Sequence, residues 1–266
     1  MPNKCMEIAG IGRVIFWAGG SLWIGQAIAP IQFHSHHAIQ ICVGLPAPVQ
    51  FRANDTAAWE AHSAAVIPPD LTHAFQAPGR MVAHLFCEPE SVLGRGLLAR
   101  FGRARIVGVP PEEVAPHAKA LRLAYDDGIA DEELEDVALD VLYALSGGAP
   151  AGLVDQRVIR ATTFIAARLA EPLTLEEVAD SVGLSAGRFR HLFVEETGIP
   201  FRAYLLWIRL NRALELGFGG TSWTDAAHAT SFADSAHLSR TARRMYGIAP
   251  SSLRHDVPLA LRPMTA

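Results

Sequence analysis

The chain has 266 residues, half of them apolar, and a formal charge of −4. That length supports two modest domains with separate cores, and three cysteines (Cys5, Cys42 and Cys87) are too few and odd in number to form a disulfide framework. The acidic balance excludes a uniformly basic nucleic-acid binder, yet residues 1–152 carry 10 Lys and Arg against 16 Asp and Glu, while residues 153–256 carry 12 against 11. Clustering on one face matters more than the sum. A reducing compartment, the cytoplasm, is the expected location.

No charged residue lies between Arg13 and Arg52, and Val14 to Phe33 approaches membrane-spanning length. The interior of that stretch argues for strands instead: Gly19-Gly20-Ser21 signals a turn, and Gln26 and Pro30 interrupt the apolar run. A leader cleaved after Ala27-Ile28-Ala29 would leave Pro30 as the first mature residue, which is unfavourable. Neither secretion nor a membrane partner is expected.

Residues 1–108 hold short apolar runs divided by Gly and Pro: Ile11 to Ala18, Leu22 to Ala29, Ala38 to Leu45, Ala64 to Ile67 and Met81 to Cys87. This is the texture of a small all-β barrel or sandwich. Pro110-Pro111 with Glu112 and Glu113 then opens a helix carrying Val114, Ala118, Leu121 and Tyr125 at helical spacing. A second helix lines up Leu134, Val137, Ala138, Val141, Leu142 and Leu145, with Asp131 to Glu133, Glu135, Asp136 and Asp140 opposite. This hairpin, 109–146, reads equally as packing on its own barrel and as a dimerisation element, so a homodimer is one expected assembly. Residues 147–153 read as a Gly-rich linker.

From 154 to 256 the chain reads as helical throughout, with 257–266 left as a tail. An amphipathic helix containing Val158, Ile159, Phe164, Ile165 and Leu169 must end before Pro172. In Leu173 to Ala179, Thr174 caps a helix while Glu177 reaches back to it, a capping box. Ala179 allows close crossing, Gly183 supplies a permissive turn, and Ser185 caps a further helix, Ala186 to Thr197, that buries Phe189, Leu192 and Phe193. That is a helix-turn-helix unit. It recurs about fifty residues on, with Ala226-Ala227, a turn at Thr230-Ser231-Phe232, a cap at Asp234 or Ser235, then Leu238-Ser239-Arg240 and Arg243-Arg244. Between the two, Pro200 to Leu216 reads as a rigid helical spacer able to hold two recognition helices in successive major grooves about 34 Å apart.

Leu173 to Arg254 resembles the DNA-binding domain of the AraC/XylS regulators. The pieces that carry the resemblance are Leu175-Glu176-Glu177-Val178-Ala179, Gly183-Leu184-Ser185, Gly198 to Tyr204, Arg209 to Ala213, Phe232-Ala233-Asp234, and Gly247-Ile248-Ala249-Pro250 closed by Leu253-Arg254. The resemblance implies base reading by Ala186, Gly187, Arg190 and His191 in the first unit and by Ser235, Ala236 and Arg240 in the second. Arg188, Arg243 and Arg244 are the candidates for phosphate contact, which positions without specifying. Some positions depart from the family: Ser231 stands where glycine is usual, Ala242 where an aromatic is usual, and Trp223 and Ala226 where aliphatics are usual. A thinner core and weaker base reading are expected in the second unit. Gly187, Ser235 and Ala236 offer few atoms to a base, which leaves room for indirect readout.

In the N-terminal half, Phe33 to Gln40 reads as a strand whose alternation places His34, His36, Gln40 and Cys42 on one face and His37 on the other. Ile67 to Thr72 is a Pro-containing turn leading to His73. The pattern resembles the cupin barrel, the sensor domain of many AraC relatives, with Gln40 where metal-binding cupins carry glutamate. Three neutral imidazoles still suit a divalent transition metal such as Zn, Ni, Cu or Fe; equally, they can line an organic-effector pocket or simply hydrogen-bond. Cys42 and Cys87 are secondary candidates for a sulfur-containing or redox site, or else packing residues.

The expected protein is therefore two-domain: an all-β cupin-like barrel with a helical hairpin, then an all-α double helix-turn-helix domain. Its expected role is a bacterial DNA-binding regulator, not an enzyme, whose barrel senses a small molecule or metal ion. Promoter DNA is the partner, joined by RNA polymerase in an activator. A metal-dependent cupin enzyme and a regulator whose barrel only dimerises are the rivals.

Overall fold

The computed structural model describes residues 8–148 and 154–255. Cys5, most of the expected linker and the expected tail lie outside them. The first half is built from antiparallel hairpins: β1 (Gly10–Trp17), β2 (Gly20–Ala27), β3 (Ile31–His34), β4 (Ile39–Gly44), β5 (Val49–Arg52), β6 (Glu60–His62), β7 (Ala64–Ile67), β8 (His73–Gln76) and β9 (Met81–Cys87). After them come α1 (Val92–Phe101), β10 (Val107–Val109), α2 (Pro111–Asp126) and α3 (Asp131–Leu145). The second half holds α4 (Gln156–Ala166), α5 (Leu175–Ser181), α6 (Ala186–Thr197), α7 (Phe201–Phe218), α8 (Trp223–Ala229), α9 (Ser235–Tyr246) and a terminal strand β11 (Leu253–His255).

The strands form a seven-stranded sheet ordered β10-β7-β4-β9-β2-β1-β11 and a four-stranded sheet ordered β3-β8-β5-β6. β4 is buried along its whole length because it lies inside the large sheet, between β7 and β9, with both faces covered. One face of that sheet packs on α1, α2 and α3 in a core of Ile15, Leu22, Ile41, Leu85, Leu97, Leu121 and Leu142. The other face meets Val49, Phe51 and Phe75 of the small sheet. The hairpin α2–α3 thus packs on its own barrel, and Arg13, buried on β1, reaches Asp131 at the start of α3. Leu123 and Tyr143 stay exposed on its outer side.

Three features depart from the expected elements. Phe33 to Cys42 is not one strand: β3 ends at His34, and the chain bends before β4 begins at Ile39. An unforeseen helix, α1, follows β9; it contains Gly94, where a Cβ would stand 2.0 Å from the Glu88 carbonyl oxygen, so its glycine serves close packing. Finally, β11 pairs in parallel with β1, Gly10 opposite Leu253, so the end of the helical half completes the sheet of the first half.

The helical half has two cores. Val158, Val178, Phe189, Phe193 and Tyr204 fill the first. The second contains Trp207, Leu210, Leu214, Phe232, Leu238 and Tyr246, and it also takes in Ala38 and Phe86 of the barrel, with Trp23 packed against them. The small Ala242 is therefore compensated by Tyr246 and by barrel aromatics: Tyr246 stacks on Trp23 at 4.7 Å between centroids and lies 5.3 Å from Phe86. Trp223 fits because residue 217 of α7 is glycine; a Cβ there would meet its ring at 2.0 Å.

Gly247 closes α9 with a φ of 73°, and a Cβ on it would stand 2.3 Å from Ile31 Cγ2 and 2.8 Å from His34 Nδ1. Gly247→Ala is expected to destabilise the protein by about 1–3 kcal/mol, through overpacking added to left-handed strain. Urea denaturation reads this directly, and an unchanged midpoint would show that α9 does not press on β3.

Candidate functional site

Capping sets the first helix-turn-helix. The Thr174 backbone and hydroxyl both donate to Glu177 at 2.8 Å while the Glu177 N–H donates to the Thr174 hydroxyl at 3.2 Å, fixing the start of α5. Gly183 turns the chain at a φ of 71°, and Ser185 accepts the Arg188 N–H to begin α6. Phe189 and Phe193 then anchor α6 with no exposure. This leaves Gly187, Arg188, Arg190 and His191 exposed and Ala186 half-buried, all near the helix N-terminus.

The second unit repeats the geometry with different chemistry. Ser231 occupies the glycine position at a φ of 59°, and its hydroxyl donates to the Leu169 and Ala170 carbonyls at 3.2 and 3.0 Å, which offsets the strain of a left-handed non-glycine. Asp234 caps α9 by accepting the His237 N–H at 2.6 Å, a bond of the kind that contributes about 1 kcal/mol. Ala236, Arg240, Arg243 and Arg244 are exposed and Ser235 half-buried. The buried side of α9 is Leu238, Thr241, Ala242 and Tyr246.

The histidines converge although no single strand carries them. His34 ends β3, His36 lies in the bend, His73 opens β8, and each offers a nitrogen within 4.8 Å of the other two. Asp70, at a φ of 62°, donates its N–H to the His36 carbonyl at 2.8 Å and so ties the two loops together. Each Nδ1 meets a backbone carbonyl two residues away: Gln32 at 2.8 Å, Ala38 at 2.9 Å and Leu71 at 2.9 Å. Those bonds place the proton on Nδ1 and leave Nε2 as a lone pair.

Gln40 sits at the centre. Its amide lies 2.9 Å from His36 Nε2, 3.1 Å from His73 Nε2 and 2.7 Å from His84 Nδ1. With the amide oxygen toward His36 and His73, three acceptors face one another, an arrangement that a cation between them satisfies. With the amide reversed, its NH2 donates to both imidazoles and its oxygen accepts from His84, which closes the network without a charge. His84, a polar residue inside the apolar run of β9, was not anticipated from the sequence; its isolation within that run is the only signal that marks it. His37 faces away, as alternation suggests, and pairs with Glu90 at 3.1 Å.

The thiols take no part. Cys42 is buried and its thiol is pushed well above the ordinary range by burial. Cys87 packs in the barrel core beside Ser91, and burial pushes it up to about 12. Neither belongs to the histidine cluster, and thiols held protonated are poor nucleophiles and ligands.

Residues 178–256 match the family model described as a helix-turn-helix domain. The regulatory protein PocR of Salmonella typhimurium is 30% identical over 105 residues, 39% of this chain and 34% of that protein. Uncharacterized HTH-type transcriptional regulators of Staphylococcus aureus are 29% identical over 107 residues, and the match spans only 14% of their length. Among solved structures, ToxT of Vibrio cholerae superposes with a TM-score of 0.56 at 10% identity, covering 87% of this chain and 95% of that one. A ToxT structure bound to an unsaturated fatty acid gives 0.56 at 9% identity, over 87% and 92%. The ToxT superpositions share with this chain the plan of a β-rich N-terminal domain followed by a helical domain, the part that matches the helix-turn-helix model. Among the described residues no helix is long and apolar enough to cross a membrane.

Burial pulls His34 down to about 3 and His84 to about 4, and lowers His36 and His73 as well. Unfolding returns these rings to water, where they titrate near 6.5. Below that pH the unfolded chain takes up protons that the folded one refuses, so stability falls with pH until the folded values are reached, by up to about 1.4 kcal/mol per pH unit per ring. Glu88, pushed up to about 8 by burial and by Glu90, has the opposite sign as pH rises from its unfolded value near 4.5, but one carboxyl is outweighed by four imidazoles. Urea midpoints are expected to drop between about pH 6.5 and 5, less steeply in His84→Phe; an identical slope in that variant would mean His84 is not held neutral.

Proposed function

We propose that this chain, whose C-terminal segment is an AraC-type helix-turn-helix domain, is a sequence-specific transcription regulator of the bacterial cytoplasm with an effector site in its barrel. The observation that carries this reading is the seat of α9. On its open side the helix presents Arg240, Arg243 and Arg244; its last turn rests on the histidine cluster, with Tyr246 6.0 Å from His36 and Gly247 against His34. An occupant that favours one arrangement of His34, His36, Gln40 and His73 therefore favours one position of a DNA-reading helix, which is the differential affinity that regulation requires.

Small organic molecules and metal ions are both candidate effectors. The anchored Nδ1–H groups and converging Nε2 lone pairs match the way metal-bound histidines are oriented by their outer partners, and Zn, Ni, Cu or Fe would suit them. His34, His36 and His73 would be the ligands, with the Gln40 oxygen as a fourth. RNA polymerase would be a further partner in an activator. The exposed Leu123 and Tyr143 on the α2–α3 hairpin favour a second copy of the chain there.

With a site selected from random duplexes by the unaltered protein, Arg190→Ala and Arg240→Ala are each expected to lower preference for that site over random DNA, by roughly 1–3 kcal/mol at the base read. An equal loss of affinity for all sequences would reassign both arginines to phosphate. Elemental analysis of untagged protein tests the metal reading: about one equivalent is expected, lost in the His34→Ala/His73→Ala double variant. No metal in either protein after zinc reconstitution would leave an organic effector.

A further inference from the structure

Between the barrel and the helical half lies a second, larger cavity, a cleft of about 700 Å³ that the histidine cluster does not share. Its barrel wall carries Glu88 and Glu90, on the segment leading from β9 into α1. Its helical wall carries Tyr204 and Trp207 of α7, with Tyr246 of α9 at the back. Glu90 is 8% exposed; its Oε2 is held by His37, while its Oε1 is buried without a hydrogen bond of normal geometry. The Trp207 indole nitrogen, on the facing wall, is buried and directed toward the Glu88 carboxyl without a hydrogen bond of normal geometry.

We propose that this interdomain cleft binds a small organic cation, an amine or guanidine on an apolar body, with its charge between Glu88 and Glu90 and its body against the aromatic wall. Two carboxylates on one buried wall repel each other. Glu88 is pushed up to about 8 first by burial and then by Glu90, and a cation lodged between them relieves both terms. Among the described lining residues Arg212 is the single arginine or lysine, and it is spent on Glu215 at 2.7 Å. With Glu90 held by His37 and Glu88 keeping its proton near neutral pH, an entering cation would draw that proton off and pair with both carboxylates. Tyr204, Trp207 and Tyr246 on the helical side offer the ligand's apolar body a rigid aromatic surface. The volume falls within the range of small-molecule sites and far exceeds what a bare metal ion fills. Because one wall belongs to each half of the chain, such a ligand bridges the two.

This site shares no lining residue with the histidine cluster, so it is tested on its own. Calorimetric titration of the full chain with 4-phenylbutylammonium and with 4-phenylbutyrate compares a cation and an anion on one apolar body. The amine is expected to bind saturably, one per chain and at least about tenfold more tightly than the carboxylate. Glu90→Gln and Glu88→Gln should each weaken the amine by about tenfold or more, since each removes a charged hydrogen bond, while His73→Ala leaves it unchanged. Equal or tighter binding of the carboxylate overturns the proposal, as does absence of saturable amine binding. Loss of amine binding in His73→Ala with none in the glutamine variants would place the amine in the barrel and overturn it as well. The comparison of the two probes on the unaltered protein needs no variant to fold.

Discussion

Everything in this molecule turns on one aromatic seam. Trp207 of α7 and Tyr246 of α9 pack against Trp23, Phe86 and the His36 ring of the barrel, with centroid separations from 4.7 to 6.4 Å. Large rings of this kind dominate core energetics, and here they belong to both halves at once. The second helix-turn-helix has no complete core of its own; it borrows the missing volume from the barrel. The first, built on Phe189, Phe193 and Tyr204, fills its core with its own side chains and meets the first half through the Arg95–Glu196 ion pair and the contact of Tyr204 with His37. A chain assembled this way has one helix-turn-helix unit with its own core and one whose position depends on the barrel.

Adjacent residues divide the chemistry of the seam. His36 turns into the barrel, where Gln40 holds it; His37 turns outward, where Glu90 holds it. The two imidazoles are neighbours in the chain but belong to different sites, one lined by histidines, the other by carboxylates. Both abut Trp207, at 6.4 and 6.1 Å. A shift of that indole is therefore felt on both sides of the bend between β3 and β4.

What could be read from the sequence was whatever is determined locally. Caps and turn residues act within a few positions, so Thr174 with Glu177, Gly183 and Ser185 mark α5 and α6 directly, and β9 follows from its apolar run. The convergence of His34, His36 and His73 was legible through a pattern resemblance, although its geometry comes from a bend and not from a straight strand. Features that depend on distant partners were not legible. The glycines inside α1 argue against a helix until the Glu88 carbonyl that needs the space is known. His84 acquires meaning only when β9 lies beside β4. Glu88 and Glu90 resemble ordinary surface acids until α7 covers them. The substitutions Ser231 and Ala242 look like losses for the same reason, since the Leu169 and Ala170 carbonyls and the barrel aromatics that offset them are far away in the chain.

The pairing of β11 with β1 bears on how the protein is made. Strand β1 leaves the ribosome well before its partner on the outer side, which emerges roughly 240 residues later. Contacts of such sequence separation form slowly, because loop closure must come first. Through most of synthesis the large sheet therefore carries an open edge, the kind of surface on which strands of other chains can add. Only when Leu253 to His255 docks is that edge covered, so this short strand doubles as a seal, and a product cut short within the helical half would keep a sticky border on an otherwise finished barrel.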